Sequence, residues 1–184
     1  MKKSFKLVSL LAVAGSVFFS SCKKEDETPA VTAVASYSAK LLGAQSNANH
    51  SFFSPATGLT YASGDSATFA TNKVDISLYN ATATGGLSFL SLDARGGAGL
   101  KKVRGVSRNT AFKLSNFTVA QFDTLTNEIA LDNVTATSSE VEIAANNVYQ
   151  FINEEGKAGL IKVTAADQGT AYNGSATISV KVQK

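Results

Sequence analysis

The chain contains no tryptophan, one cysteine and one histidine, and each scarcity excludes something. The lone cysteine, Cys22, rules out an intramolecular disulfide, so packing alone must hold the fold together, whatever the redox compartment. The lone histidine, His50, lies in the loop-like stretch Asn47-Ala48-Asn49-His50-Ser51, with no acid and nucleophile spaced to make it the base of a catalytic triad. One imidazole and one thiol supply no ligand spacing for zinc or copper. No stretch has the spaced oxygen ligands of a calcium loop, and no Gly-Lys-Ser/Thr motif reads phosphate. No catalytic residue, metal site or cofactor is expected. Basic excess is also missing once the amino terminus is set aside. The formal charge of +3 comes from Lys2, Lys3 and Lys6, and beyond residue 21 there are 14 basic and 14 acidic residues. Nucleic acid, whose backbone demands clustered Lys and Arg, is therefore not an expected partner. The nearest approach to a basic patch, Lys101-Lys102-Val103-Arg104 with Arg108, reads as a solvated edge.

What the chain does have is a strongly marked beginning. The three lysines precede an apolar run over residues 7–19, then Ser20 and Ser21, then Cys22 and the charged stretch Lys23-Lys24-Glu25-Asp26-Glu27. A basic start, a short apolar segment and a small-residue neck make an export signal, and the apolar run is too short to span a bilayer permanently. The neck resembles the lipobox of bacterial lipoproteins, with Phe19 where leucine is preferred. The resemblance implies cleavage before Cys22 and acylation of its thiol, leaving 163 residues anchored to a lipid bilayer. Residues 22–33 then read as a flexible tether with little to bury, and residues 34–184 as one domain with enough chain for a sizeable core.

Within that domain the periodicity is two. Val74, Ile76 and Leu78 alternate with Lys73, Asp75 and Ser77, which predicts a strand with Asp75 turned outward. Ile178, Val180 and Val182 alternate in the same way with Ser179 and Lys181, which are expected to face solvent. Residues 112–114, 129–131, 141–143, 148–152 and 160–163 are further strand candidates. The glycines of Asn153-Glu154-Glu155-Gly156-Lys157-Ala158-Gly159 suit a hairpin joining residues 148–152 to 160–163, with Glu154 and Glu155 solvated at its tip. Residues 119–129 are the best helical candidate and are read as a loop or single turn. Short strands separated by Gly, Asn, Ser and Thr turns predict an all-β fold, an antiparallel β-sandwich that is immunoglobulin-like or jelly-roll-like, with a barrel as the alternative.

Three stretches of the domain resemble Bacteroidetes-type exported lipoproteins: Leu42-Gly43-Ala44-Gln45 with Ser51-Phe52-Phe53, Gly58-Leu59-Thr60-Tyr61 with Lys73-Val74-Asp75, and residues 156–163. The resemblance implies an exported β-sandwich in the cell envelope, anchored at the outer membrane and in some cases surface-exposed, with no known catalytic activity. Asp65-Ser66-Ala67 and Asp123-Thr124-Leu125 resemble the acceptor of O-glycosylation in such bacteria, which makes Ser66 and Thr124 candidate sites. The plainer reading is that Asp65 and Asp123 cap turns.

No pairing of carboxylates suits a glycosidase. Glu154-Glu155 sit in a turn, Glu140 and Glu142 share an outward strand face, and Asp93 lies in a glycine-rich turn. Binding is the expected class. Asn47, Asn49, His50, Phe52, Phe53 and Tyr61 gather aromatic rings beside amides in one stretch, the combination a sugar face requires. The expectation is a non-catalytic module for a glycan, a peptide or a neighbouring envelope protein. The competing expectation is a structural or adhesion-like module without a discrete pocket, with Phe52 and Phe53 simply part of the core.

Overall fold

The computed structural model describes residues 32–100, 103 and 106–184. The export signal, Cys22, the tether up to residue 31, and Lys101, Lys102 and Arg104 lie outside the described residues. Among those described, two antiparallel five-stranded sheets pack face to face. One has the order β1 (Ala35–Gly43), β10 (Ser175–Val182), β9 (Ala158–Asp167), β8 (Val148–Ile152), β6 (Ala111–Leu114). The other has the order β3 (Thr60–Tyr61), β2 (Phe52–Phe53), β4 (Ile76–Thr82), β5 (Gly85–Ser91), β7 (Glu140–Glu142).

Alternating residues of both sheets meet in the main core. Ile76, Leu78, Leu87 and Phe89 come from one sheet, and Tyr149, Phe151, Ile161, Val163, Ile178, Val180 and Val182 from the other. The β8–β9 hairpin forms as its sequence predicts, with Val148 opposite Lys162 and Ile152 opposite Ala158. Its turn closes through the Asn153 side chain, whose Oδ1 accepts from the Lys157 amide at 2.9 Å, while Gly156 takes φ +74°.

The outer faces are covered as well. Beyond the first sheet, α1 (Val119–Thr124) and a 3₁₀ turn at Glu128–Leu131 bring Phe122, Leu125 and Leu131 onto Val148 and Leu160. Residues 129–131, expected as strand, are therefore part of a 3₁₀ turn; of the three only Leu131 is buried, and among the described residues no strand pairs with them. Beyond the second sheet, Phe52, Phe69, Val74, Leu92 and Val103 form a satellite cluster. A strand covered on both sides has no solvent face, which is why β4 is buried from Ile76 through Asn80.

The seams between the sheets differ. On one side Phe112 and Ser138 exchange backbone hydrogen bonds of 2.6 and 3.2 Å, joining β6 to the approach of β7. On the other side β1 is an edge strand whose register slips between Tyr37 and Lys40, where Ala39 takes φ +50°. Ala33 bridges Asn127, and the Thr32 carbonyl accepts from the Glu128 amide at 3.0 Å.

Candidate functional site

The expected aromatic platform is core. Phe52 and Phe53 are 1% and 0% exposed, Phe52 lying between the Phe69 ring at 4.8 Å and the Arg95 guanidinium at 4.8 Å. Neither can present a face to a ligand. Two apolar residues in succession point to opposite sides of a strand, and here both sides are packed. Tyr61 is half-buried, its edge against Phe69 and its hydroxyl 3.2 Å from Thr57 Oγ1. The polar residues of the stretch have local partners, and Asn49 and His50 are exposed. Asn47 Oδ1 accepts from the amide and side chain of Asn49 at 2.9 and 2.8 Å. His50 Nδ1 lies 3.1 Å from the Thr60 carbonyl. The structure thus keeps the predicted residues near one another, with Phe52 opposite Tyr61 and His50 against Thr60, but puts both phenylalanine rings in the core.

The turn-capping reading holds at Asp65, whose Oδ2 accepts from the Ala62 amide at 2.9 Å. Half-buried Ser66 lies in the 3₁₀ turn that this bond begins. Thr124 is exposed, and its hydroxyl donates to the Ala120 carbonyl at 3.0 Å. Among the described residues Asp123 accepts no capping hydrogen bond and pairs instead with Lys162.

Asp75 is the residue whose environment departs furthest from expectation. It is fully buried, where alternation placed it outside. Its Oδ1 accepts from Arg108 Nε at 2.5 Å and its Oδ2 from Asn153 Nδ2 at 3.1 Å. Arg108 Nη2 also donates to Glu155 Oε1 at 2.6 Å, and Lys73 Nζ stands 3.8 Å from that same oxygen. Glu154, next in the turn, accepts from the Asn109 amide at 2.6 Å. Both glutamates are exposed, as their turn position suggests, yet both have hydrogen-bond partners. Burial pushes the Asp75 carboxyl above its ordinary range, against the hydrogen bond and charge of Arg108. Burial acts in the same sense on Glu155, but there Arg108 and then Lys73 win and hold the carboxyl below its ordinary range. The network ties the start of β4 to the lead-in of β6 and the β8–β9 turn, so it fastens the two sheets at one end.

Beside this network the open seam widens into a cleft of about 380 Å³. Its floor is Ala35, Tyr37, Pro55, Ala56 and Val182, and its rim carries Lys73, Glu155, Lys157 and Lys184. Tyr37 sets the floor. Its hydroxyl donates to the Ala56 carbonyl at 3.3 Å, and its ring meets Phe53 edge-on at 6.1 Å between centroids. Gly58 permits that position, since a Cβ there would lie 2.2 Å from Tyr37 Cδ1. None of these residues stands out in a linear reading. The floor is drawn from β1, the β2–β3 turn and β10, and only their pairing brings them together.

At the opposite end of β1, Gln45 acts as a surrogate strand. Its side-chain amide accepts from the Asn80 amide and donates to the Asn80 carbonyl, both at 2.8 Å. A second hollow of about 310 Å³ lies there, lined by Gln45, Asn80 and Tyr172 among others. Asn80 Nδ2 donates to the Gln168 carbonyl at 3.1 Å, whereas its Oδ1 finds no partner among the described residues. Among the described residues, no group of three His, Cys, Asp or Glu side chains is arranged to hold a metal ion. No family model, curated protein or solved structure matches the chain.

Proposed function

We propose that the chain is a non-catalytic lipoprotein of the cell envelope, acylated at Cys22, whose sandwich binds a glycan, a peptide or a neighbouring surface protein. The observation that carries the binding part is the cleft of about 380 Å³ in the open seam, a concavity of ligand-pocket size with an apolar floor and a charged rim. The anchoring part rests on the order of lysines, apolar run, small residues and cysteine in residues 1–22. Acylation with more than one chain would make attachment stable, at roughly 0.8 kcal/mol for each buried CH₂. In finer detail we read the sandwich as immunoglobulin-like or jelly-roll-like. In support, the first strand, β1, pairs antiparallel with the last, β10, beside the β8–β9–β10 meander.

The outer membrane is the proposed location, with the domain facing the periplasm or the cell surface. A structural or adhesion-like role is the second reading. It is favoured by the nine-residue edge strand β1, which a partner strand could extend. The test has two arms. Cys22→Ala should abolish lipid labelling and membrane recovery, and unchanged attachment would end the lipoprotein reading. A screen of the full chain against glycans, peptides and envelope proteins should yield a saturable ligand. Contacts confined to the β1 edge would instead favour the structural role.

A further inference from the structure

We propose that the end of the sandwich that carries the cleft rests on the lipid bilayer holding Cys22, with Leu59 and Ile129 entering its interfacial layer. The inference goes beyond the proposed function and rests on its anchoring part. Its first support is where the chain enters the domain. The Thr32 carbonyl accepts from the Glu128 amide at 3.0 Å, and Glu128 Oε2 accepts from the Lys184 amide at 3.3 Å. Ala35, at the start of β1, lies opposite Val182, at the end of β10. Both line the cleft, together with Lys184 and residues of the β2–β3 and β8–β9 turns. Once the chain is cleaved before Cys22, ten residues, 22–31, precede Thr32. Whatever path they take, they reach at most about 35 Å. The nine residues of β1 rise about 30 Å toward the other end of the sandwich. The end that holds Thr32 is therefore the one delivered to the bilayer. The opposite end could touch it only with those ten residues drawn almost straight.

The second support is what this end exposes. Leu59 is 55% exposed and Ile129 52%. Leu59 closes the β2–β3 turn, its carbonyl accepting from the Ser54 amide at 3.1 Å, next to the cleft residues Pro55 and Ala56. Ile129 follows Glu128 in the 3₁₀ turn that meets Thr32 and Lys184. A bilayer interface would take both side chains out of water at once, and such association strengthens with the apolar area it buries. Charge does not choose the partner. Lys73 Nζ lies 3.8 Å from Glu155 Oε1, and Lys157 Nζ donates to the Lys184 main-chain oxygen. The carboxylates of Glu128 and Asp132 meet the Lys184 amide and the Gln183 side chain at the same edge. Acids and bases are interspersed there, so the surface that fits is a neutral lipid one. At the other end of β1 the Ser46 amide donates to the Tyr172 carbonyl at 3.2 Å, and the loops gathered there face away from the membrane.

The test uses the isotopically labelled full chain, expressed with residues 1–21 so that it is processed and acylated, and placed in phosphatidylcholine nanodiscs. Some discs carry a gadolinium chelate on the lipid headgroup, and amide line broadening reports which residues lie near it. Strong broadening is expected at Ala56, Leu59, Ile129 and Lys184, and little at Gly85, Tyr172 and Asn173. The contrast should persist in high salt. Leu59→Ser/Ile129→Ser, with an unchanged thermal midpoint, should lose most of the contrast while remaining anchored through Cys22. Uniform broadening would overturn the proposal, as would stronger broadening at Tyr172 or a contrast that the double variant leaves intact. Loss of the contrast in salt would also overturn it, by showing that charge holds the domain down. A chain that is acylated and membrane-bound but shows no contrast keeps the anchoring reading and removes this one. A chain that is never acylated removes both.

Discussion

Arg108 Nε donates to Asp75 Oδ1 at 2.5 Å, and the aspartate is wholly removed from solvent. The bond spans the gap between β4 of one sheet and the lead-in to β6 of the other. Deleting one partner of a buried pair leaves the other charged without compensation, at a cost of about 3–5 kcal/mol. Arg108→Met should therefore lower the denaturant midpoint strongly. Asp75→Leu should do the same, and the double variant should cost clearly less than the sum of the two. Additive losses in urea unfolding would show that the pair is not energetically coupled.

Glu155 gives the network a pH signature. Its folded-state pKa is depressed, because Arg108 and Lys73 outweigh the burial that would raise it. A depressed acid contributes stability above its unfolded pKa, near 4.3, and loses that contribution as pH falls through the folded value. The difference in thermal midpoint between the parent and Glu155→Gln should be full at about pH 6 and fade below about pH 4. Asp75 runs in the opposite sense. Its pKa is raised by burial, so its protonation favours the folded state and that contribution disappears as pH rises through the folded value. A parent-minus-variant difference that grows on acidification would contradict the assignment at Glu155.

Strand existence was legible where one face of a strand dominates. Ile178, Val180 and Val182 enter the core as their alternation predicts, and the β8–β9 hairpin pairs as its glycine-bearing turn suggests. Alternation failed at Asp75 and Ser77, because Phe69, Val74 and Leu92 cover the outer face of that sheet. Period-two patterning reports which residues are apolar, and a polar residue on a covered face looks identical to one in water until its partner is known. Arg108 is 33 residues away from Asp75, so nothing local announces it. The two phenylalanines of the expected platform were misplaced for a related reason. Phe52 and Phe53 were grouped with Asn47, Asn49 and His50 by nearness in sequence, whereas both rings are buried. The cleft was hidden because its floor combines Ala35, Pro55 and Val182 from three separated segments.

Lys181 shows the same effect on a surface. Its alternation places it outside, and it does lie on the outer face, yet it is not idle. Its Nζ donates to the Asp123 and Leu125 carbonyls at 3.1 and 2.6 Å, closing the last turn of α1, and stands 5.2 Å from the Phe122 ring centroid. Lys181→Asp would remove a cation from carbonyls that favour one and place an anion beside them. The expected loss is about 1–2 kcal/mol. Val180→Asp, next in the chain and 0% exposed, would bury an unpaired charge and should unfold the domain. Calorimetry of both variants checks the ranking, and a silent Lys181→Asp would mean that the cap contributes nothing.

Gly58 and Tyr37 offer a test that couples stability to the cleft. Gly58 takes φ +70°, a region that costs other residues about 1–2 kcal/mol. A Cβ there would also fall 2.2 Å from Tyr37 Cδ1, well inside contact distance. Gly58→Ala should therefore pay twice, for backbone strain and for displacing the ring, with overpacking adding about 1–3 kcal/mol. Tyr37→Ala removes the obstacle along with the hydroxyl bond to Ala56. In that background the same Gly58→Ala change should cost only the backbone part. The cycle of four proteins, measured by thermal unfolding, isolates the ring contact from the strain. If Gly58→Ala costs the same with and without Tyr37, the ring does not rest on the glycine, and the floor of the cleft is not shaped as described.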